Sequence, residues 1–158
     1  MSQQNKMLST AISLSARKFE GVMDRGGQPY ILHKIRVMNA MPEDDFELRQ
    51  IAVMHDVVED TDVTFNDLIK MGFSARVVDA LVLLTHMPQD SYELYVHEIK
   101  KNPDARQVKK ADIEDNSKVS RLKGVSEKDI KRMVKYNRAY LYLMDKMSEY
   151  EYLNNVEK

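Results

Sequence analysis

Along most of this chain the apolar side chains return every third or fourth position, the period of an α-helix. No stretch alternates apolar and polar residues over the length of a strand. That pattern predicts an all-α fold of compact, packed helices. Met7, Leu8, Ala11, Ile12, Ser15, Ala16 and Phe19 place a first helix near residues 4–20, before a loop with Gly21, Gly26, Gly27 and Pro29. Ile31, Ile35, Met38 and Met41 keep the period as far as Pro42, and Phe46, Ile51, Ala52 and Met54 carry a third helix to His55-Asp56. Thr64 and Asp67 form a capping pair, Gly72 is a stop, Ser74 and Ser91 open two more helices, and Asn102-Pro103 closes the second of these. Val108, Ala111, Val119 and Leu122 predict a helical segment up to Gly124. Ser126 with Asp129 then opens a long C-terminal helix over about 127–154, through Ile130, Met133, Met144 and Met147.

The 158 residues suit one domain over 1–158, long enough to bury roughly 68–70% of the surface of the unfolded chain. With no cysteine, disulfide scaffolds, thiol catalysis and thiolate metal sites are excluded. The longest apolar run, Ala80 to Leu84, is far shorter than a membrane span, and Met1-Ser2-Gln3-Gln4-Asn5-Lys6 lacks a secretory apolar stretch. The expected location is cytoplasmic, with no membrane partner. Lys and Arg number 24 against 25 Asp and Glu, which argues against duplex nucleic acid as a partner while leaving room for a local basic surface toward one small anion. Neither a Walker loop nor G-x-G-x-x-G is present.

The densest chemistry lies in His55-Asp56-Val57-Val58-Glu59-Asp60-Thr61, one imidazole and three carboxylates directly after an apolar helix. Imidazole with carboxylate suits a first-row divalent metal, and Glu59, nearly one turn on, would lie where it can hold or deprotonate a water. A solvated acidic helix end is the plainer alternative. Asp112 follows Val108 by four residues and Ala111 by one, so it falls on a buried stripe, where a carboxylate needs a cationic partner or a metal. Lys109 and Lys110 precede it, and Asp115 and Asn116 extend the polar intrusion. His33, after the glycine-rich turn, reads either as a hydrogen-bonded structural residue or as a ligand. His86 and His97 read as structural or exposed, the 11 methionines as core filling, and the tyrosines of the last helix mostly as packing.

Taken together, these residues resemble the HD-type alarmone hydrolases: the hydrolase half of the Rel/SpoT enzymes and the small free-standing alarmone hydrolases. The similarity spans about residues 8–140 in three ordered blocks. The segment from Glu20 to His33 is similar to a basic glycine-containing loop followed by P-Y-I-x-H. His55–Thr61 reads as H-D-x-V-E-D-T, and Val108–Asn116 resembles V-K-L-A-D-x-x-x-N. The resemblance implies an HD-domain fold holding one metal, usually Mn²⁺, by His33, His55, Asp56 and Asp112. It implies Glu59 and Asp60 as the pair that positions and activates water. Arg25, Lys109, Asn116, Arg132 and Tyr136 would lie beside a small-molecule nucleotide. The implied reaction removes the 3′-diphosphate of (p)ppGpp, giving GDP or GTP and pyrophosphate, a reaction of the stringent response.

Departures from that pattern leave alternatives open. Phe19, Val22 and Asp24 stand where the family commonly has histidine, glutamine and a basic residue, so that only Arg25 remains of the loop's basic pair. Lys110 replaces an apolar residue, and 86–104, which helps close the site in the family, is poorly matched. The same chemistry on another phosphorylated nucleotide is one alternative; a catalytically silent nucleotide-binding or interaction module is another. The length excludes a synthetase domain within these residues, and oligomeric state is left undetermined.

Overall fold

The computed structural model describes residues 3–155. Ten α-helices fold there: α1 Gln3–Lys18, α2 Ile31–Asn39, α3 Phe46–Met54, α4 Val57–Asp60, α5 Phe65–Lys70, α6 Ala75–Leu84, α7 Tyr92–Lys100, α8 Pro103–Asn116, α9 Glu127–Leu143 and α10 Glu149–Leu153. A single 3₁₀ turn spans Val119–Arg121, and the extended structure among the described residues is one isolated bridge between Met23 and Pro29. The all-α expectation therefore holds. Among the described residues no helix is long and apolar enough to cross a membrane.

The helix starts follow from local chemistry. Asp45, Thr64, Ser74, Ser91, Asn102, Ser126 and Ser148 each accept a hydrogen bond from a backbone N–H in the first turn of the helix they precede. Thr64–Asp67 and Ser126–Asp129 form the reciprocal capping boxes that their spacing predicts.

Helix α3 is the centre of the packing. Ile51, Ala52, Val53 and Met54 are all buried, so the helix is apolar on every side at its C-terminal end, and it touches α1, α2, α6 and α8. Ser15 of α1 donates to the Val53 carbonyl at 2.8 Å, so a buried hydroxyl pins the end of α3 to α1. At the joint between α3 and α4 stand His55, which caps α3, and Asp56, which precedes α4. The break in helical geometry brings both side chains to the same end of the core, facing α2 and α8.

Two expectations need correction. The helical segment projected to Gly124 stops at Asn116: Val119 is exposed, and Leu122 is in extended geometry after the 3₁₀ turn. The long C-terminal helix projected over 127–154 ends at Leu143. Asp145 adopts φ 59°, a left-handed conformation that a short polar side chain tolerates, and Ser148 with Glu151 caps a separate last helix. The reversal lets Tyr152 stack flat on Tyr142, with centroids 4.4 Å apart, a contact that a straight helix would forbid.

Candidate metal centre and cleft

Three elements supply the buried polar cluster. Helix α2 brings His33, the α3–α4 joint brings His55 and Asp56, and α8 brings Asp112 and Asp115. His33 Nδ1 lies 2.7 Å from Asp115 Oδ2. Asp115 is itself ion-paired with Arg36 and Lys118, so its carboxylate accepts and the imidazole donates from Nδ1. His55 Nδ1 lies 2.7 Å from the Ala52 carbonyl, which also only accepts. Both rings thereby turn a bare Nε2 inward.

Those two nitrogens meet the same atom. Asp112 Oδ1 is 3.1 Å from His33 Nε2 and 3.4 Å from His55 Nε2. His33 Nε2 is buried and makes no hydrogen bond. Lone pairs converging in a buried place are unfavourable unless a cation or a proton sits among them. Ligand atoms of His33, His55 and Asp112 all fall within 4.8 Å of one another, so this donor set fits a divalent first-row metal. The electrostatics agree: burial opposes a charge on His55, yet Asp56 and Asp112 draw its pKa up to about 9. Asp112 is held well below the usual carboxylate range against its burial, because Lys109 and both histidines surround it.

Asp56 is oriented differently. Its Oδ2 is 3.3 Å from His55 Nε2, but it accepts a hydrogen bond from the Tyr30 hydroxyl at 2.6 Å and an ion-paired hydrogen bond from Lys34 Nζ. The Lys34 side chain is fully buried, its ammonium 4.8 Å from the ring centroids of both Phe19 and Tyr30 and 3.5 Å from His55 Nε2. Burial lowers the Lys34 pKa from its ordinary value, with Asp56 working against that shift.

A cleft of about 350 Å³ opens beside the cluster. Arg25, Tyr30, Asp60, Asn116, Arg132 and Tyr136 line it. Tyr30 reaches Asp56 from this wall, and Asn116 donates to Asp112 Oδ1 at 2.8 Å, so the cleft and the cluster share residues. Arg25 and Arg132 both donate to Asp129 Oδ1 at 2.9 Å. Asp129, the third residue of α9 and half of its capping box, thus also aims two guanidinium groups of the rim. Gly26 allows the loop to dock here, since a Cβ at that position would lie 2.7 Å from the Arg121 carbonyl oxygen.

Most of the residues singled out in the sequence gather here, but not all as expected. Arg25, Asn116, Arg132, Tyr136 and Asp60 line the cleft. Lys109 instead bonds Asp112 Oδ2 at 2.8 Å, with Tyr95 and Tyr92 over its ammonium. Glu59 accepts a hydrogen bond from the His86 backbone N–H at 2.6 Å, which draws the start of the 86–104 segment to the α4 end. Burial, with Asp56 close by, raises the pKa of both Glu59 and Asp60. Phe19 is in the core, edge-on to Tyr30. Lys34, Arg121 and Lys118 escaped the sequence reading. For Lys34 a signal existed, because it shares the inward stripe of Ile31, Ile35 and Met38.

Removing the negative charge that orients His33 should loosen the centre. Asp115→Asn is expected to weaken divalent-metal binding by about 10–100-fold, the usual consequence of losing a carboxylate behind a ligating imidazole. Competition titration against a chelating dye measures it, and unchanged affinity would mean that His33 is held by packing alone.

On this helical scaffold the buried His/Asp cluster adjoins a cleft lined by Arg25 and Arg132. No protein-family model matches the chain. It is 45% identical over 51 residues to a guanosine-3′,5′-bis(diphosphate) 3′-pyrophosphohydrolase of Vibrio cholerae, covering 31% of this chain and 7% of that protein. To the bifunctional (p)ppGpp synthase/hydrolase SpoT of Escherichia coli it is 36% identical over 67 residues, covering 41% of this chain and 10% of that protein. To the guanosine-3′,5′-bis(diphosphate) 3′-pyrophosphohydrolase MESH1 of Danio rerio it is 33% identical over 98 residues, 54% of each chain. The chain thus spans about half of MESH1 and a small part of the two bacterial proteins. A solved structure, described as a metazoan ortholog of SpoT that hydrolyzes ppGpp and plays a role in starvation responses, superposes with TM-score 0.70 at 20% identity, covering 91% of this chain and 86% of that one. That likeness shows the fold: this chain has the helical architecture of that hydrolase, and its sequence is similar to ppGpp 3′-pyrophosphohydrolases.

Proposed function

We propose that this protein is a metal-dependent hydrolase that removes the 3′-diphosphate of (p)ppGpp, leaving GDP or GTP and pyrophosphate. The observation that carries the proposal is the convergence of His33 Nε2, His55 Nε2 and Asp112 Oδ1 behind a cleft rimmed by Arg25 and Arg132, to which Tyr30 and Asn116 of the cleft wall connect through Asp56 and Asp112. Mn²⁺ is the proposed ion, held by His33, His55 and Asp112, with Asp56 beside them. When bound, it polarises a phosphate oxygen and lowers the pKa of water.

The chain's own groups do the rest. Asp60, at the cleft wall, and Glu59, fixed by the His86 N–H, orient the attacking water and take its proton; their raised pKa makes them better bases than ordinary carboxylates near neutral pH. The water oxygen bonds to the phosphorus nearest the ribose, the bond from that phosphorus to O3′ breaks, and O3′ leaves as a hydroxyl with a proton from solvent, which balances the proton the carboxylates take from water and later release. Arg25, Arg132, Asn116 and Tyr136 hold the diphosphate and neutralise charge as it develops. Lys109 acts from behind, through Asp112. The proposed setting is the cytoplasm and the stringent response.

A product assay with Mn²⁺ and ppGpp tests the proposal. GDP and intact pyrophosphate are expected, and both should vanish with EDTA; no cleavage in any divalent metal would overturn it. Asp129→Ala, which frees Arg25 and Arg132, is expected to raise KM about tenfold with kcat little changed, as loss of charge-assisted positioning does. An equal fall in kcat would instead make those arginines part of the transition-state machinery.

A second reading concerns the base. Val22, Met23 and Asp24 form the wall next to Arg25, and Asp24 is already bonded to the N–H groups of Gly26 and Gln28 and to Arg121. That wall offers no uncommitted side-chain group to read the edge of guanine. A kcat/KM for the adenosine analogue equal to or above that for ppGpp would favour it.

A further inference from the structure

A fully buried lysine ammonium beside a cluster of metal-type donors is a resident cation, and Lys34 is built in with care. It shares the inward face of α2 with His33, and Phe19 and Tyr30 place their rings 4.8 Å from its Nζ. Its ion pair goes to Asp56 Oδ2, the same oxygen that accepts from the Tyr30 hydroxyl. Two donors therefore already saturate the oxygen of Asp56 that lies closest to His55. The set whose ligand atoms converge comprises His33, His55 and Asp112, without Asp56.

We propose that Lys34 withholds Asp56 from the metal, so that the centre binds its ion through His33, His55 and Asp112 and more weakly than its full complement of carboxylates would allow. Two effects act together. An ammonium 3.5 Å from His55 Nε2 repels a divalent ion bound at that nitrogen, and the ion pair removes one anionic ligand. Breaking that pair would leave a buried charge without its partner, which is unfavourable, so the ion does not readily capture Asp56. The aromatic pair strengthens the hold, because cation–π attraction grows when the cation is desolvated. The inference rests on the metal-centre reading above.

Mn²⁺ affinity, measured by chelator competition on the intact chain, tests it without reference to turnover. Lys34→Met keeps the length of the side chain and removes its charge; it is expected to tighten Mn²⁺ binding at least tenfold. Asp56→Asn in the Lys34→Met background is expected to cancel that gain, because the freed carboxylate is its source. No gain in Lys34→Met, or a gain that survives Asp56→Asn in the same background, would overturn the inference and leave the metal-centre reading standing. No Mn²⁺ binding to either the unchanged protein or Lys34→Met would defeat that reading and this inference together. Should Lys34→Met fail to fold, as judged by circular dichroism, a crystal structure of the unchanged protein with Mn²⁺ decides: Asp56 is expected to stay on Lys34, and Asp56 within coordination distance of the ion would refute the proposal.

Discussion

Under the proposed function, Asp112→Asn is expected to lower kcat/KM for ppGpp by about a thousandfold or more, equivalent to roughly 4 kcal/mol of transition-state stabilisation. Asp112 Oδ1 is the atom that both inward imidazole nitrogens face, and Oδ2 neutralises Lys109. Asparagine keeps the shape but not the charge, so the donor set loses its central anion and Lys109 is left without its counter-ion. The product assay measures the loss in activity, chelator competition should show weakened Mn²⁺ binding, and circular dichroism checks that the helices persist. Turnover within tenfold of the unchanged protein would remove Asp112 from the centre.

The second large effect concerns stability. Ile51→Ala is expected to cost about 2–5 kcal/mol, the range for deleting a large aliphatic side chain where neighbours cannot close the gap. For a domain of this size that corresponds to a fall in Tm of about 5–15 °C. Ile51 is fully buried on α3, which packs against α1, α2, α6 and α8, so a cavity there has rigid walls on several sides. Calorimetry reads the shift, and a fall of less than about 2 °C would show that α3 is not the central support of the fold.

These two residues were unequally visible in the sequence. Ile51 lies in an apolar run that the helical period marks as buried, without any knowledge of partners. Asp112 announced itself as an anomaly, a carboxylate on a buried stripe, which raises the question of a partner but does not supply it. The caps Thr64, Ser74, Ser91 and Ser126 were legible because each acts within three residues of itself, whereas Asn102, read as the close of one helix, caps the start of α8. The end of α9 was not: the apolar period runs on past Leu143, and the left-handed turn at Asp145 is stabilised by Arg106 and Lys100 from other helices and by the Tyr142–Tyr152 stack that it permits.

Short-range chemistry determined the helical class, seven of the ten helix starts, and the concentration of imidazole and carboxylate at His55–Asp60. Those features depend on periodicity and on hydrogen bonds between near neighbours, which a linear sequence contains in full. The direction in which the acceptors point was decided by the tertiary structure. His33 presents Nε2 because Asp115, 82 residues away, takes Nδ1. Asp56 faces a cation because Lys34, 22 residues away, is buried between Phe19 and Tyr30. Only folding brings such pairs together in a medium where an unpaired charge is costly, and there each side chain's orientation is settled by the partners that packing leaves it.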